Sequence, residues 1–573
     1  MILLLCLLSR SAGAQQPAGG DRARIQSLLA AEDARGKGAD GTSPIVSGLE
    51  NNDTLIRRLA VRAVGRLQRP DLAKRLVPML TDRIPQIRAE VAIAMSQALR
   101  DVKRGAVEND STRLNVRTAF RALSGAIRTE SDDSVAGVIA EAMGRLPLGD
   151  TAAGHSAEQA ILDRAGSRAN FGMAHGLYWL GLARRVTGGL SPSGDSLLRR
   201  TARASNDPAV RRIAVLALTA AGALDSGTVM AASRDRDPQV RRLALAGVAT
   251  LGTASRATLV RRAFADPSPS VRIDAVRAAR VGSEPPDCAL IERAVRDATS
   301  YVALMAIDAL GSPCADSLAA REALRKAMTV PSPDRAPDHA WQRAAHALVA
   351  LSRVDSANVD QPVARFARST RWAERVYAAT AAGNTGDAET LTALARDSNE
   401  NVHEAAVTNL ARTRKHEADS VYIDALASGG NQVLLAAAEA LKGSTNPAAL
   451  PGILDGFDRV SARRSENARD PRLAMLERID EMGTPKDSAR LIPYLADFDT
   501  TVAAKAATLL SRWTGSDVAA RPMPLTRPDE PLAELLFARN ILLRVTMAAS
   551  SGGGSFTIRL FPDEAPATAA RLV

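Results

Sequence analysis

Aromatic side chains are scarce in this sequence of 573 residues. Nine Phe, five Tyr and four Trp make up 3% of the chain, whereas hydrophobic residues make up 46%. A folded core must therefore be built from small aliphatic side chains, and the abundant Ala and Leu are strong helix formers. Because sheet-rich folds favour aromatic and β-branched residues, the composition predicts packed helices.

Cysteine is scarce too, and motifs for catalysis or metal binding are missing. The chain has three Cys and six His, and none forms the closely spaced pairs that bind zinc. There is no G-x-S-x-G or P-loop motif. The glycine pattern at 36–41 is followed by Thr42-Ser43-Pro44 instead of an apolar helix, so we interpret it as a loop. We therefore expect no metal and no other cofactor.

The sequence also lacks a concentrated basic stripe. Lys and Arg number 74 against 63 for Asp and Glu, which gives a net charge of +11. The two signs are interleaved along the chain, whereas proteins that bind nucleic-acid phosphates cluster Lys and Arg on one face. The charge pattern argues against a nucleic-acid partner.

The first 14 residues resemble a secretory signal peptide. An apolar run, Ile2 to Leu8, precedes Ala12-Gly13-Ala14, which fits an A-x-A cleavage site. This run is too short to span a bilayer, and no later run reaches the roughly 18 apolar residues that a membrane helix needs. We therefore expect residues 1–14 to be removed and the mature chain to be extracytoplasmic, either periplasmic or secreted, without a stable membrane span. No basic residue precedes the run, so whether Met1 is the natural start stays open.

A short phrase recurs along most of the chain. Residues 207–215 and 237–245 share the pattern Asp-Pro-x-Val-Arg-Arg followed by apolar residues, and Asp266-Pro267 begins a third copy. The period is about 30 residues, and weaker copies bring the number of units to about fourteen. Asp is a good helix cap and Pro suits the first helical position. A less regular apolar segment precedes each phrase, so each unit is predicted to be a pair of antiparallel helices.

With this period and pairing, the array resembles HEAT-like repeats, especially the short kind known from phycobilin-lyase-like proteins. The resemblance implies an all-α fold, an α-solenoid of about fourteen repeats over residues 50–515, with residues 15–49 as a separate N-terminal segment. It implies an architecture and not a function. The clients, the binding face of the solenoid and its oligomeric state stay open.

Stacking of the repeats would place the charges of the phrase in rows. Arg of one unit could then bond Asp of the next, and we interpret these residues as a structural ladder and not as a ligand site. The ladder residues are Asp53, Arg57, Asp207, Arg211, Asp237, Arg241, Asp266 and Arg272.

The positions of several Cys and His residues allow further predictions. Cys288 and Cys314 precede the first helices of consecutive repeats, and an oxidising compartment would allow a disulfide between them. Neighbouring helices usually lie about 8–10 Å apart, which argues against a bridge, so the pairing stays open. His339 and His346 lie on one predicted helix and are interpreted as surface or packing residues. His403 occupies the Arg position of its repeat.

The pattern changes after residue 515. Residues 516–539 are rich in proline and predict an extended linker. Ile541 to Met547 is typical of a strand, and Phe556, Ile558 and Leu560 alternate with polar residues, so the sequence predicts a β-hairpin. Pro566 suits the first position of a following helix.

The last residues resemble the opening of cyclophilin-type peptidyl-prolyl cis-trans isomerases, in which a strand is followed by P-D-x-A-P-x-T and a helix. Arg571 and Leu572 replace the family's Asn-Phe. The resemblance implies that residues 540–573 begin a β-barrel that binds X-Pro peptides and speeds their cis-trans interconversion. The matching residues are Pro562, Asp563, Ala565, Pro566 and Thr568.

The resemblance assigns no catalytic residue to this sequence. The family's Arg, which polarises the prolyl amide, and the residues that hold the peptide would lie beyond Val573. We therefore expect the chain as given to be inactive and its barrel to be incomplete. The leading hypothesis is an exported HEAT-like scaffold for proteins or X-Pro peptides, fused to such an isomerase. The alternative is a non-enzymatic scaffold for protein-protein interaction.

Overall fold

The computed structural model describes residues 19–36, 41–100, 110–148, 152–280, 287–312, 314, 317–329, 340–525, 534, 536, 541–547, 554–562 and 564–572. The predicted signal peptide, most of the glycine loop at 36–41, His339 and Asp563 lie outside the described residues. The chain divides into two compact units, residues 1–251 with 528–573 (unit 1) and residues 252–527 (unit 2).

Unit 1 contains successive helices joined by short connections. Two 3-10 segments, Pro70–Thr81 and Leu245–Thr250, stand beside them. The helices are α1 (Gly19–Asp33), α2 (Ser43–Leu49), α3 (Thr54–Leu67), α4 (Pro85–Ala98), α5 (Asp110–Thr129), α6 (Asp133–Arg145), α7 (Ala152–Ala165), α8 (Phe171–Arg184), α9 (Pro192–Ala204), α10 (Pro208–Ala221), α11 (Ser226–Ala232) and α12 (Pro238–Ala244).

The helices of unit 1 form two layers. Helices α3, α4, α6, α8, α10 and α12 carry the repeated phrase and stack on one another in that order, while α5, α7, α9 and α11 form the second layer. We call the first set the phrase helices. Aliphatic side chains such as Ile139, Leu177 and Leu218 are buried between the layers. Helices α1 and α2, which lie before residue 50, pack on α3.

The residues of the phrase explain where these helices begin and end. The backbone N–H of Ala209 donates to Asp207 Oδ1 at 2.8 Å, and Pro208 takes the first helical position. Helix α10 ends at Gly222, which has φ +75°. This left-handed conformation favours glycine and closes the helix.

Unit 2 repeats the same arrangement. Its 3-10 segments are Ser356–Asn358, Lys415–Ala418, Glu466–Ala468, Pro485–Asp487 and Ile492–Ala496. Its helices are α13 (Thr253–Phe264), α14 (Pro269–Ala278), α15 (Cys288–Ala294), α16 (Ser300–Leu310), α17 (Leu318–Met328), α18 (Ala340–Val354), α19 (Asp360–Ala367), α20 (Trp372–Thr385), α21 (Ala388–Leu394), α22 (Glu400–Arg414), α23 (Asp419–Ser428), α24 (Asn431–Ala440), α25 (Ala449–Ala462), α26 (Arg469–Met482), α27 (Ser488–Leu491) and α28 (Thr500–Thr514).

The even-numbered helices from α14 to α28 are the phrase helices of unit 2, and each contacts the next. With six in unit 1 and eight in unit 2, the described residues contain fourteen phrase helices. The predicted all-α, HEAT-like repeat fold is confirmed. Among the helices that the structure describes, none has the length and apolar character needed to cross a membrane.

The last part of the chain has a different structure. Residues 516–525 of the linker are not helical, and the N–H groups of Arg521 and Met523 donate to the carbonyls of Leu495 and Asp497 at 2.7 and 3.1 Å. Strands β1 (Leu542–Thr546) and β2 (Ser555–Arg559) form an antiparallel pair with Val545 opposite Phe556. Helix α29 (Pro566–Leu572) follows. Among the described residues, the sheet consists of these two strands and does not close into a barrel.

Candidate protein-binding surface

In several repeats an arginine at one equivalent position of the phrase helix connects the repeat to the next. Arg211 shows the geometry: its Nη2 lies 2.7 Å from Asp235 Oδ1, and its Nη1 donates to the carbonyl of Ser205 at 2.9 Å. Equivalent pairs are Arg57–Asp82, Arg272–Asp297, Arg375–Asp397 and Arg472–Asp497. The hydrogen bond from Arg272 holds the pKa of Asp297 below its usual value, so that this carboxylate stays charged.

The phrase aspartates mainly cap helices. Asp53 and Asp207 accept hydrogen bonds from backbone N–H groups of the helices that follow them. Asp237 caps α12 and also pairs with an arginine of the preceding repeat. Arg241 donates to carbonyls before its own helix, and Asp266 accepts a backbone N–H two residues later. All eight predicted ladder residues thus make contacts that build the helical frame.

The two predicted bridge cysteines lie together. Cys288 is the first residue of α15 and Cys314 follows α16, and the structure joins them in a disulfide with their Cα atoms 5.8 Å apart. This distance is in the usual range for a bridge. The expected helix spacing of 8–10 Å does not apply because neither cysteine lies in the middle of a helix.

Buried charges join some neighbouring helices. Arg184 at the end of α8 pairs with Glu158 of α7, and its Nη1 lies 2.8 Å from His155 Nδ1. Glu158 also accepts from the backbone N–H and the hydroxyl of Ser191, at 2.8 and 2.7 Å. These contacts join α8 to α7 and to the residue that precedes α9.

An aromatic cluster lies on α8 in unit 1. Tyr178 and Trp179 have ring centroids 5.2 Å apart, and His175 stacks on Trp179 at 5.9 Å. Arg145 of α6 lies over the Trp179 ring at 4.7 Å and pairs with Glu141 at 2.7 Å. The rings are partly exposed. Partly exposed Tyr and Trp side chains are enriched at interaction surfaces.

Glycine contacts set the spacing of the two helices that carry this cluster. A Cβ atom added at Gly144 of α6 would lie 2.3 Å from the carbonyl oxygen of Gly176 of α8. One added at Gly172 would lie 2.3 Å from the carbonyl oxygen of Gly137. The helices therefore touch backbone to backbone, which brings Arg145 over the indole.

A second polar and aromatic group spans three phrase helices of unit 2. His346 Nδ1 of α18 lies 2.8 Å from Asp308 Oδ1 of α16, and Tyr377 Oη of α20 lies 2.9 Å from His346 Nε2. Burial, with a contribution from Asp308, raises the pKa of Tyr377. The phenol of Tyr377 therefore stays protonated at neutral pH.

Three aromatic residues lie where the same phrase helices begin. Tyr301 and Trp341 are the second residues of α16 and α18, and Trp372 is the first residue of α20. Tyr301 is 76% exposed and Trp372 is 47% exposed, while Trp341 is half-buried. We call these three residues the aromatic edge. No sequence motif marks these three residues, and only their common position at the start of the phrase helices relates them.

We looked for metal-binding groups among the residues that the structure describes. Among them, no three side chains of His, Cys, Asp or Glu are grouped so that they could hold a metal ion. His346 is part of the hydrogen-bonded chain described above, and His403 is buried at the ladder position of α22.

His403 predicts a pH dependence of stability. Burial lowers its pKa, against the smaller opposing effects of Glu400 and Asp397. Below the ordinary His pKa of about 6.5, the unfolded chain binds a proton that the folded chain does not, so the free energy of unfolding falls as the pH decreases from 7. We expect His403→Leu to reduce this decline between pH 7 and 5, measured by urea unfolding at each pH.

The control is a second substitution at the same position, His403→Gln, which also removes the imidazole and should reduce the decline as well. An unchanged decline in His403→Leu would show that His403 is not the group responsible.

The terminal segment packs on the first helices of unit 1. Glu564 pairs with Arg62, and its carbonyl accepts a hydrogen bond from Arg66. Arg571 pairs with Asp33 at 2.7 Å. The matched residues Ala565, Pro566 and Thr568 line a cleft of about 460 Å³ together with residues of α1, α3 and α4. Pro562 precedes this contact in the chain.

Comparison with protein-family models and with curated proteins finds no match. Among solved structures, yeast importin-beta (Kap95p) is 15% identical, with a TM-score of 0.45, over 82% of this chain and 66% of that chain. The Kap95:Nup1 complex gives 13% identity and a TM-score of 0.42, over 82% of this chain and 67% of that chain. A Kap121p mutant is 15% identical, with a TM-score of 0.34, over 82% of this chain and 52% of that chain.

The chain spans about half the length of Kap121p and about two thirds of importin-beta. At these identities and scores the comparison assigns neither a partner nor an activity.

Proposed function

We propose that this chain is an exported protein-binding scaffold whose residues 540–573 begin a cyclophilin-type peptidyl-prolyl isomerase domain. The observation that supports the isomerase part is the order of hairpin, Pro562 and a helix that starts at Pro566, combined with the matching P-D-x-A-P residues. Export is supported by the apolar run and A-x-A site of residues 1–14. Protein binding is supported by the partly exposed aromatic groups on the phrase helices.

In this proposal the repeats bind client proteins and the terminal domain acts on their X-Pro bonds. Uncatalysed isomerisation crosses a barrier of about 18–20 kcal/mol, which arises from amide resonance. Binding a client close to the domain raises the effective concentration of its proline segments. Residues 540–573 supply no catalytic group in this scheme, and their part is to begin the domain.

A non-enzymatic scaffold is the second candidate. It is favoured by the docking of the terminal segment on unit 1, where Glu564 contacts Arg62 and Arg66, and Arg571 contacts Asp33. In that case the hairpin and α29 complete the surface of the first repeats and carry no activity.

A protease-coupled assay with a proline-containing peptide separates the two candidates. The protein is produced from the full open reading frame of the gene, including any codons that follow Val573. We expect isomerase activity that is lost when the Arg of the family's aromatic-His-Arg motif, encoded downstream, is replaced. A stop codon directly after Val573, or a complete protein without activity, would leave the scaffold. Export is tested on the secreted protein, whose first residue should be Gln15.

A further inference from the structure

We propose that α1, α3 and α4 of unit 1 form a peptide-binding groove, and that residues 564–572 occupy it as a displaceable intramolecular ligand. We call residues 564–572 the strap. The ligand class is a short helical peptide with a carboxylate before its first turn and a guanidinium in its last turn. The site belongs to unit 1 and needs no isomerase activity, so it goes beyond the proposed function.

The groove presents a row of arginines on α3. Arg58, Arg62 and Arg66 follow one another at four-residue intervals, so they lie on one face of the helix. Arg58 pairs with Glu90 of α4 at 2.7 Å. Arg62 pairs with the carboxylate of Glu564, and Arg66 donates to the Glu564 carbonyl. The strap thus continues, over Arg62, the charge pairing that α4 provides to Arg58.

The other end of the strap carries the opposite charge. Arg571 Nη2 donates to both carboxylate oxygens of Asp33, the last residue of α1, at 2.8 and 2.7 Å. Glu564 precedes α29 and Arg571 lies in its last turn, so each charge also suits the dipole of that helix. A strap bound in the reverse direction would bring like charges together at both ends. The two contacts therefore set the direction in which the peptide binds.

Between the two charges, the strap buries a small apolar face. Pro566 and Ala569 are both buried, and their spacing of three residues places them on the same side of α29. This helix has seven residues, and a helix of that length is not stable in water by itself. The helical form of the strap therefore depends on the groove, as for a peptide that folds when it binds.

The strap lies over the groove without filling it. A cleft of about 460 Å³ remains between them, lined by Glu32, Gln97 and Arg100 on the groove side and by Ala567 and Thr568 on the strap side. Partly exposed ion pairs contribute little to stability, and the apolar contact is small. We therefore expect the strap to leave the groove without the unfolding of unit 1, which a core helix could not do.

Fluorescence anisotropy tests the site with a labelled synthetic peptide of residues 562–573 and the 573-residue chain. In the chain, Glu564→Ala with Arg571→Ala removes both charges of the strap and frees the groove; we call this the open variant. Asp33→Lys is then added to reverse the charge of the groove. The matched control adds Asp21→Lys instead, because Asp21 and Asp33 both lie on α1 and their side chains are each 32% exposed.

We expect the peptide to bind the open variant at least about tenfold more tightly than the wild type, whose own strap competes as an intramolecular ligand. Asp33→Lys should weaken this binding about tenfold, and a peptide with Arg571→Glu should restore it. Asp21→Lys should stay within about twofold of the open variant. Equal affinity of the wild type and the open variant, no binding by the open variant, or equal losses with Asp33→Lys and Asp21→Lys would overturn the proposal.

Hydrogen exchange of the wild-type chain gives a second measurement, which decides if the open variant melts early. The N–H of Ala569 donates to the carbonyl of Ala565 at 2.9 Å, so its exchange reports the bound helix. We expect protection in dilute salt and its loss at about 1 M salt, where charges are screened beyond about 3 Å. Complete exchange in dilute salt, or protection that persists at about 1 M, would overturn the proposal. Neither measurement depends on the outcome of the isomerase assay.

Discussion

Replacing Arg472 with methionine is expected to destabilise unit 2 by about 3–5 kcal/mol, because it leaves Asp497 as a buried charge without its partner. The Arg472 side chain is fully buried, and its Nη1 donates to both carboxylate oxygens of Asp497 at 3.0 and 2.9 Å. Its guanidinium also lies 4.6 Å from the ring of Phe498. Methionine keeps most of the side-chain volume, so the expected loss is mainly electrostatic.

Urea unfolding followed by circular dichroism measures this effect. The matched control is Arg396→Met, because Arg396 and its partner Asp424 are each 69% exposed and lie 3.9 Å apart. An exposed pair of this kind contributes less than about 1 kcal/mol. The double variant Arg472→Met with Asp497→Asn should recover much of the loss. Equal stabilities of Arg472→Met and Arg396→Met would contradict the buried pair.

The arginine ladder shows what a repeat pattern can predict. The recurring Asp and Arg indicate helix starts and inter-repeat contacts, since caps and spacing are local properties. The pattern does not distinguish Arg472 from Arg211, although one is fully buried and the other is partly exposed at the equivalent position. Burial depends on the side chains that the next repeat contributes, here Phe498, and these vary from copy to copy.

The aromatic groups were harder to predict for a related reason. Tyr377 and His346 are 31 residues apart, which is about one repeat, so the stacking places them side by side. Their contact could be predicted only by aligning each residue to its position in the phrase. Local periodicity shows which face of a helix is buried but not the register between neighbouring helices.

In the terminal segment, the sequence predicts the local structure but not the long-range contacts. The alternation around Phe556 and the position of Pro566 predict a hairpin and a helix, and the structure has both. The pairing of Arg571 with Asp33 joins residues 538 positions apart, and no pattern in the sequence points to it. Such a contact depends on the tertiary arrangement of unit 1.

Replacing Gly144 with alanine is expected to destabilise unit 1 by about 2–3 kcal/mol, although alanine is the better helix former. The added Cβ would lie 2.3 Å from the carbonyl oxygen of Gly176 and 2.8 Å from its Cα. These are backbone atoms in the middle of α8 and cannot rotate away. Helices α6 and α8 must then separate, which also moves Arg145 away from the Trp179 ring.

The matched control is Gly125→Ala on the exposed side of α5, where an added Cβ meets nothing within 4 Å. This variant should gain up to about 1 kcal/mol, because alanine lowers the entropy of the unfolded chain and favours the helix. Urea unfolding gives both free energies, and Trp fluorescence reports the surroundings of Trp179. Opposite signs for the two substitutions would show that backbone contact sets the helix spacing, whereas a gain in both would mean that α6 and α8 are farther apart than described.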